Sequence, residues 1–334
     1  MHSFQEDHKA ARILNVTDET ARRNQEKLRR ELGPTICGWL AEPSVVEIML
    51  NEDGTLWVER LGSQMERSGQ LSASAALSAI GTVASCLNCT VTKQDPILEC
   101  ELPLDGSRFE ALVPPVVSAP VFTIRKKAVS IFTLDDYVAS LIMSQRQCEI
   151  IKEAVVNREN ILIVGGTGTG KTTLTNAIID HMAKATPEHR IAIIEDTGEL
   201  QCSAPNKVQL RSVDHVDMTR LLKATMRLRP DRILVGEVRD GAALALLKAW
   251  NTGHPGGAAT VHANSAEAGL IRLEQLVAEA TQAPMQELIA EAVDLVVYIE
   301  RHAEHGRRVS NVIRVSGYEG NKYITTPIHH SYSS

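Results

Sequence analysis

The run Gly165-Gly-Thr-Gly-Thr-Gly-Lys-Thr-Thr173 has the residue types and spacing needed to hold a chain of phosphates. Gly165, Gly166, Gly168 and Gly170 let the backbone curl until its N–H groups converge on one anion, where a Cβ would obstruct the approach. Thr167 and Thr169 complete the loop, Lys171 would bridge the β- and γ-phosphates, and the Thr172 hydroxyl would ligate Mg²⁺. Thr173 belongs to the opening turn of a helix, whose N-terminus adds about half a positive charge. A glycine-rich loop that merely turned the chain would not call for a lysine and two threonines at this point.

Three further polar sets follow apolar segments. Glu195-Asp-Thr-Gly-Glu199 comes after residues 190–194, Gly236-Glu-Val-Arg-Asp240 after 233–235, and His262-Ala-Asn-Ser265 after 258–261. Phosphoryl transfer to water needs a positioned water, a metal ligand and neutralised charge. Glu237 suits polarising the water and anchoring Mg²⁺ through its shell, and Glu195 and Asp196 supply a second acidic pair near the metal. Asp196 and Asp240 could equally cap helices. His262 suits contact with the γ-phosphate, directly or through a partner carboxylate, whereas His254 is expected to cap the helix before it.

These residues need a scaffold. Ile161–Val164 reads as a buried strand, and the strands at 190–194, 233–235 and 258–261 alternate with helices. That pattern indicates a parallel sheet covered on both faces, with ligands held at the strands' carboxyl ends. Ser144-Gln-Arg-Gln147 is a capping-box start for a helix to about residue 157. The amino-terminal part has a different texture, mixed α+β. A charged helix over 17–33 is expected to stop at Gly33-Pro34, and strands at 45–50 and 56–59 flank a hairpin turn. A small-residue helix over 72–87 and strands near 97–102, 109–113 and 121–125 complete it. Two domains are expected, 1–132 and 133–334.

The 334 residues carry a net charge of −6, which speaks against direct nucleic-acid binding. No run reaches the length of apolar residues that crosses a membrane, and the start, Met1-His-Ser-Phe-Gln-Glu-Asp, lacks the features of a signal peptide. Six scattered cysteines include one CxxC, Cys86 and Cys89, with no second pair to complete a zinc site. Reduced thiols beside a nucleotide site indicate the cytoplasm.

GGTGTGKTT, IIEDTGEL, RPDRILVGEVRD and TGHPGGAATVHANS, in that order, resemble the Walker A, Asp, Walker B and His boxes of the secretion traffic ATPases, specifically their type IV secretion and conjugal-transfer branch. The likeness continues upstream through GSRFEALVPP and FTIRKK. It implies a RecA-like P-loop α/β domain preceded by a smaller, PAS-like α+β domain. It also implies a cytoplasmic homo-hexamer, peripheral at the inner membrane beside components of a secretion channel, hydrolysing ATP with Mg²⁺. By motif, 165–173 bind ATP, Glu195 lies in the Asp box, Glu237 in Walker B and His262 in the His box. Thr172, Asp196 and Glu237 would serve the metal, partly through water. Arg108 and Arg125 would close over the terminal phosphate, since guanidinium forks suit phosphate oxygens. Arg227, Arg229 and Arg239 are unranked sensor or interface candidates. Type II secretion motors usually carry a tetracysteine element that this chain lacks, and a DNA-translocating motor would call for a basic channel.

Overall fold

The computed structural model describes residues 2–61, 63–127, 132–213, 215–302 and 306–328, with side chains from residue 19 onward. They divide into two compact units, Met1–Val129 and Ser130–Ser334.

The first unit opens on α1 (His2–Ala41), which breaks at Gly33, where φ is +78°. The chain does not stop there as expected from Pro34. Proline's fixed φ suits a helix's first turn, so a second helical stretch starts at Pro34 and buries Ile36 and Trp39. Then come β1 (Val45–Leu50), β2 (Thr55–Arg60), β3 (Glu66–Gln70), α2 (Ala73–Cys86), β4 (Ile97–Glu101), β5 (Arg108–Leu112) and β6 (Val121–Arg125). The strands form one antiparallel sheet in the order β3-β2-β1-β6-β5-β4. β5 and β6 alternate: Phe109, Ala111, Phe122 and Ile124 are buried, while Arg108 and Arg125 lie on the other face. β3 has no apolar alternation and was not anticipated.

The second unit contains α3 (Leu134–Ala139), α4 (Gln145–Val156), β7 (Ile161–Val164), α5 (Lys171–Ala185), β8 (Ile191–Glu195), β9 (Lys207–Arg211) and α6 (Met218–Thr225). It continues through β10 (Arg232–Val235), α7 (Ala242–Asn251), β11 (Ala258–Val261), α8 (Ala266–Ala278), α9 (Gln286–Ala292), β12 (Leu295–His302), β13 (Gly306–Glu319) and β14 (Lys322–Pro327). The capping box at Ser144 and Gln147 is formed. The sheet order is β14-β13-β12-β7-β11-β10-β8-β9. From β12 to β9 every pairing is parallel, and β13 and β14 extend it antiparallel. The sheet is therefore mixed rather than parallel throughout. Its two faces build separate cores: Ile161 and Ile163 pack among α4 and α5, Leu162 and Val164 among α7 and α8. Every residue of β7, β8, β10 and β11 is buried, so their carboxyl ends are rigid platforms at one edge.

Candidate active site

The loop after β7 owes its shape to glycine. Gly170 has φ +101° and precedes α5 without a side-chain cap, leaving the helix's first N–H groups for another acceptor. A methyl at Gly165 would run into the Ile299 carbonyl. Thr169 Oγ1 donates to Gly166 O at 3.0 Å and pins the loop. Lys171 is only 8% exposed. Its Nζ donates to Gly166 O at 3.0 Å and stands 3.3 Å from the His262 ring nitrogens. The lysine is thus folded over the loop, at the place a phosphate oxygen would take.

His262, directly after β11, joins lysine to carboxylate: its Nε2 is 3.0 Å from Glu237 Oε1. The other oxygen, Oε2, accepts from Arg239 Nη2 at 2.8 Å. Arg239 Nη1 in turn lies 3.7 Å from Asp196 Oδ2, and Asp196 Oδ1 accepts from Ser212 Oγ at 2.5 Å. Glu237 is positioned by backbone as well, because Thr260 Oγ1 donates to Gly236 O at 2.7 Å. Burial alone would raise the Glu237 pKa. The Arg239 hydrogen bond and the charges of Arg239, His262 and Lys171 outweigh burial and hold it below the usual value. Of the three arginines near this strand, Arg239 is the one that meets Glu237.

Glu195 stands differently. It is 4% exposed, and its Oε1 accepts from the backbone N–H groups of Glu199 and Leu200 at 2.9 and 2.8 Å. Burial pushes its pKa up from 4.5 to about 7, against those two hydrogen bonds. A raised folded-state pKa means stability that is fully present below about 4.5 and lost as pH rises through about 7. Wild type is therefore expected to lose melting temperature between about pH 4.5 and 7 relative to Glu195→Gln. Parallel melting curves for the two proteins across that range would refute the assignment.

The loop that Glu195 holds brings up Glu199, which was absent from the expected set. Its Oε2 accepts from Thr172 Oγ1 at 3.4 Å, and Asn176 Nδ2 on α5 donates to its carbonyl at 3.3 Å. Only the repeated Glu four residues on hinted at it. Among the described residues no cluster of three His, Cys, Asp or Glu could cage a metal. A hydroxyl and a carboxylate side by side nonetheless fit Mg²⁺, which keeps several waters and is held by one or two protein oxygens plus phosphates.

The remaining candidates fall as follows. Asp240 Oδ1 accepts from Ala242 N at 2.8 Å, so it serves the first N–H of α7, although Gly241 holds the cap position. His254 Nδ1 is buried with no hydrogen-bond partner among the described residues, and α7 is closed instead by Thr252 N–H to Ala249 O. The expectation that His254 caps α7 is thereby corrected. In the first unit, Arg108 and Arg125 are direct cross-strand partners, and Glu47 on β1 stands opposite Arg125. Two like charges in register repel. Burial raises the Glu47 pKa, and the charges of Arg125 and Arg108 oppose that rise.

The family model for "Type II/IV secretion system protein" matches residues 33–320. The conjugal transfer protein TrbB of Rhizobium radiobacter is 56% identical over 299 residues, covering 90% of this chain and 92% of the relative. The type IV secretion system protein PtlH of Bordetella pertussis is 32% identical over 307 residues, covering 81% of this chain and 89% of that one. The ATPase DotB of Yersinia pseudotuberculosis shares the fold, with a TM-score of 0.60 at 16% identity over 84% of this chain and 78% of that one. The likeness carried by the four boxes is borne out: the chain belongs to the type II/IV secretion system protein family.

Proposed function

We propose that the chain hydrolyses ATP to ADP and phosphate at the β7–α5 loop and so powers a conjugal type IV secretion system. The observation that carries this reading is the continuous line Lys171–His262–Glu237–Arg239 at the carboxyl ends of β7, β11 and β10. Residues 165–173 hold the phosphates, and Lys171 exchanges the Gly166 carbonyl for β- and γ-phosphate oxygens. Glu237, ionised and fixed at both oxygens, orients the attacking water and takes its proton, with His262 beside the γ-phosphate. Glu195 keeps the acidic loop in shape and so presents Glu199 to Thr172, while Asp196 acts through Arg239 and through water. Mg²⁺, when bound with the nucleotide, neutralises charge on the phosphate oxygens. Hydrolysis by the purified chain that proceeds unchanged after divalent cations are removed would overturn the role given to Thr172 and Glu199.

Arg108 and Arg125 donate to the terminal phosphate, the part of ATP that ADP lacks. In a homo-hexameric ring at the cytoplasmic face of the inner membrane, each turnover would shift one subunit against its neighbour and against channel components. Arg125→Ala is accordingly expected to lower the ATP-to-ADP affinity ratio by about tenfold or more, the size of a charge-assisted contact. Equal losses for both nucleotides, read by titration, would remove Arg125 from the terminal phosphate.

A further inference from the structure

The hairpin of β12 and β13 runs along the flank of β7 that faces away from β11. Its residues reach the phosphate loop itself. Besides the Ile299 carbonyl against Gly165, the Arg307 side chain lies across Gly170: a methyl there would sit 3.2 Å from Arg307 Cδ and 3.5 Å from its Nε. Arg307 Nε is shut off from solvent and has no hydrogen-bond partner among the described residues. Buried donors of this kind are ordinarily satisfied, and each one left unmade is costly. This one belongs to a cation beside the positive end of α5, where an anion is the partner that improves both.

Topology says which part of an anion it would meet. Glu237 and His262 follow β10 and β11, on the other flank of β7, and Lys171 Nζ leans toward them. The phosphate undergoing attack belongs on that flank. The hairpin flank is left for the part of the nucleotide that both ATP and ADP carry. We propose that Arg307 is a nucleotide-binding residue, its guanidinium donating to phosphate oxygens common to ATP and ADP. The inference rests on the phosphate-loop reading above.

The test is calorimetric titration of ATP and ADP into wild type, Arg307→Met, Arg307→Lys and Lys171→Ala. Methionine keeps an apolar stem over Gly170 and removes only the charged fork, so its melting temperature without nucleotide should match wild type. Arg307→Met is expected to bind both nucleotides about tenfold or more weakly, in line with one charge-assisted contact. Arg307→Lys should regain part of the loss, because the charge returns without the fork. Unchanged affinity of Arg307→Met for both nucleotides, with binding lost in Lys171→Ala, would overturn the inference and leave the phosphate loop standing. A loss confined to ATP would also overturn it, placing Arg307 at the terminal phosphate. Normal binding by Lys171→Ala as well would sink the loop assignment and the inference together.

Discussion

Glu237→Gln is expected to bind ATP about as tightly as wild type and to hydrolyse it at least about a hundredfold more slowly, the usual yield of a positioned general base. The amide keeps the shape of the side chain and can still accept from Arg239 Nη2, which now holds Oε2 at 2.8 Å. What it loses is the ability to take a proton from water. The competing assignment gives that role to Glu195. The two carboxylates have opposite environments: Glu237 is held ionised by Arg239, His262 and Lys171, whereas burial lifts Glu195 to about 7. Paired titratable groups pushed apart in this way ordinarily have different tasks. Glu237 turns Oε1 to His262 and Oε2 to Arg239, while Glu195 spends Oε1 on its own loop. If Glu195→Gln stopped turnover and Glu237→Gln barely changed it, the roles would have to be exchanged. Parallel measurement of nucleotide affinity and turnover in both variants decides the matter.

Lys171→Ala should lower hydrolysis by about 10²–10³-fold or more, since one preorganised donor to developing charge is commonly worth that much. The fold should survive. The lysine's Nζ meets its own loop and His262, at the edge of the sheet and outside the two cores. Removing its charge also takes away one of the influences that keep the Glu237 carboxylate acidic. Wild-type turnover from a variant with an unchanged melting curve would move the active site elsewhere.

Much of this site was legible as text, for a physical reason. A strand buried on both faces must be apolar at every position, and a loop that wraps phosphate needs glycine at set intervals. Ile161–Val164 and Gly165 to Thr173 therefore announce themselves without a partner. The edge strands do not. β3 is nearly all exposed, and β9 buries no residue fully, so no apolar period marks either. Pro34 misled because the same ring that ends one helix can begin another. Distance between segments was also out of reach. Nothing in 195–199 says that Glu199 lies against Thr172 while Asp196 lies against Arg239 and Ser212, because that depends on where Glu195 gathers its loop. Arg307 is further removed still, reaching Gly170 only through the pairing of β13 with β12 and of β12 with β7.

The most direct test takes one preparation each of wild type and Glu237→Gln, titrates both with ATP, and then follows phosphate release in a single turnover. The expected result is matched affinity for ATP with release from wild type alone. Release at equal rates from both, or failure of the wild-type chain to bind ATP, would contradict hydrolysis at the β7–α5 loop with Glu237 as its base.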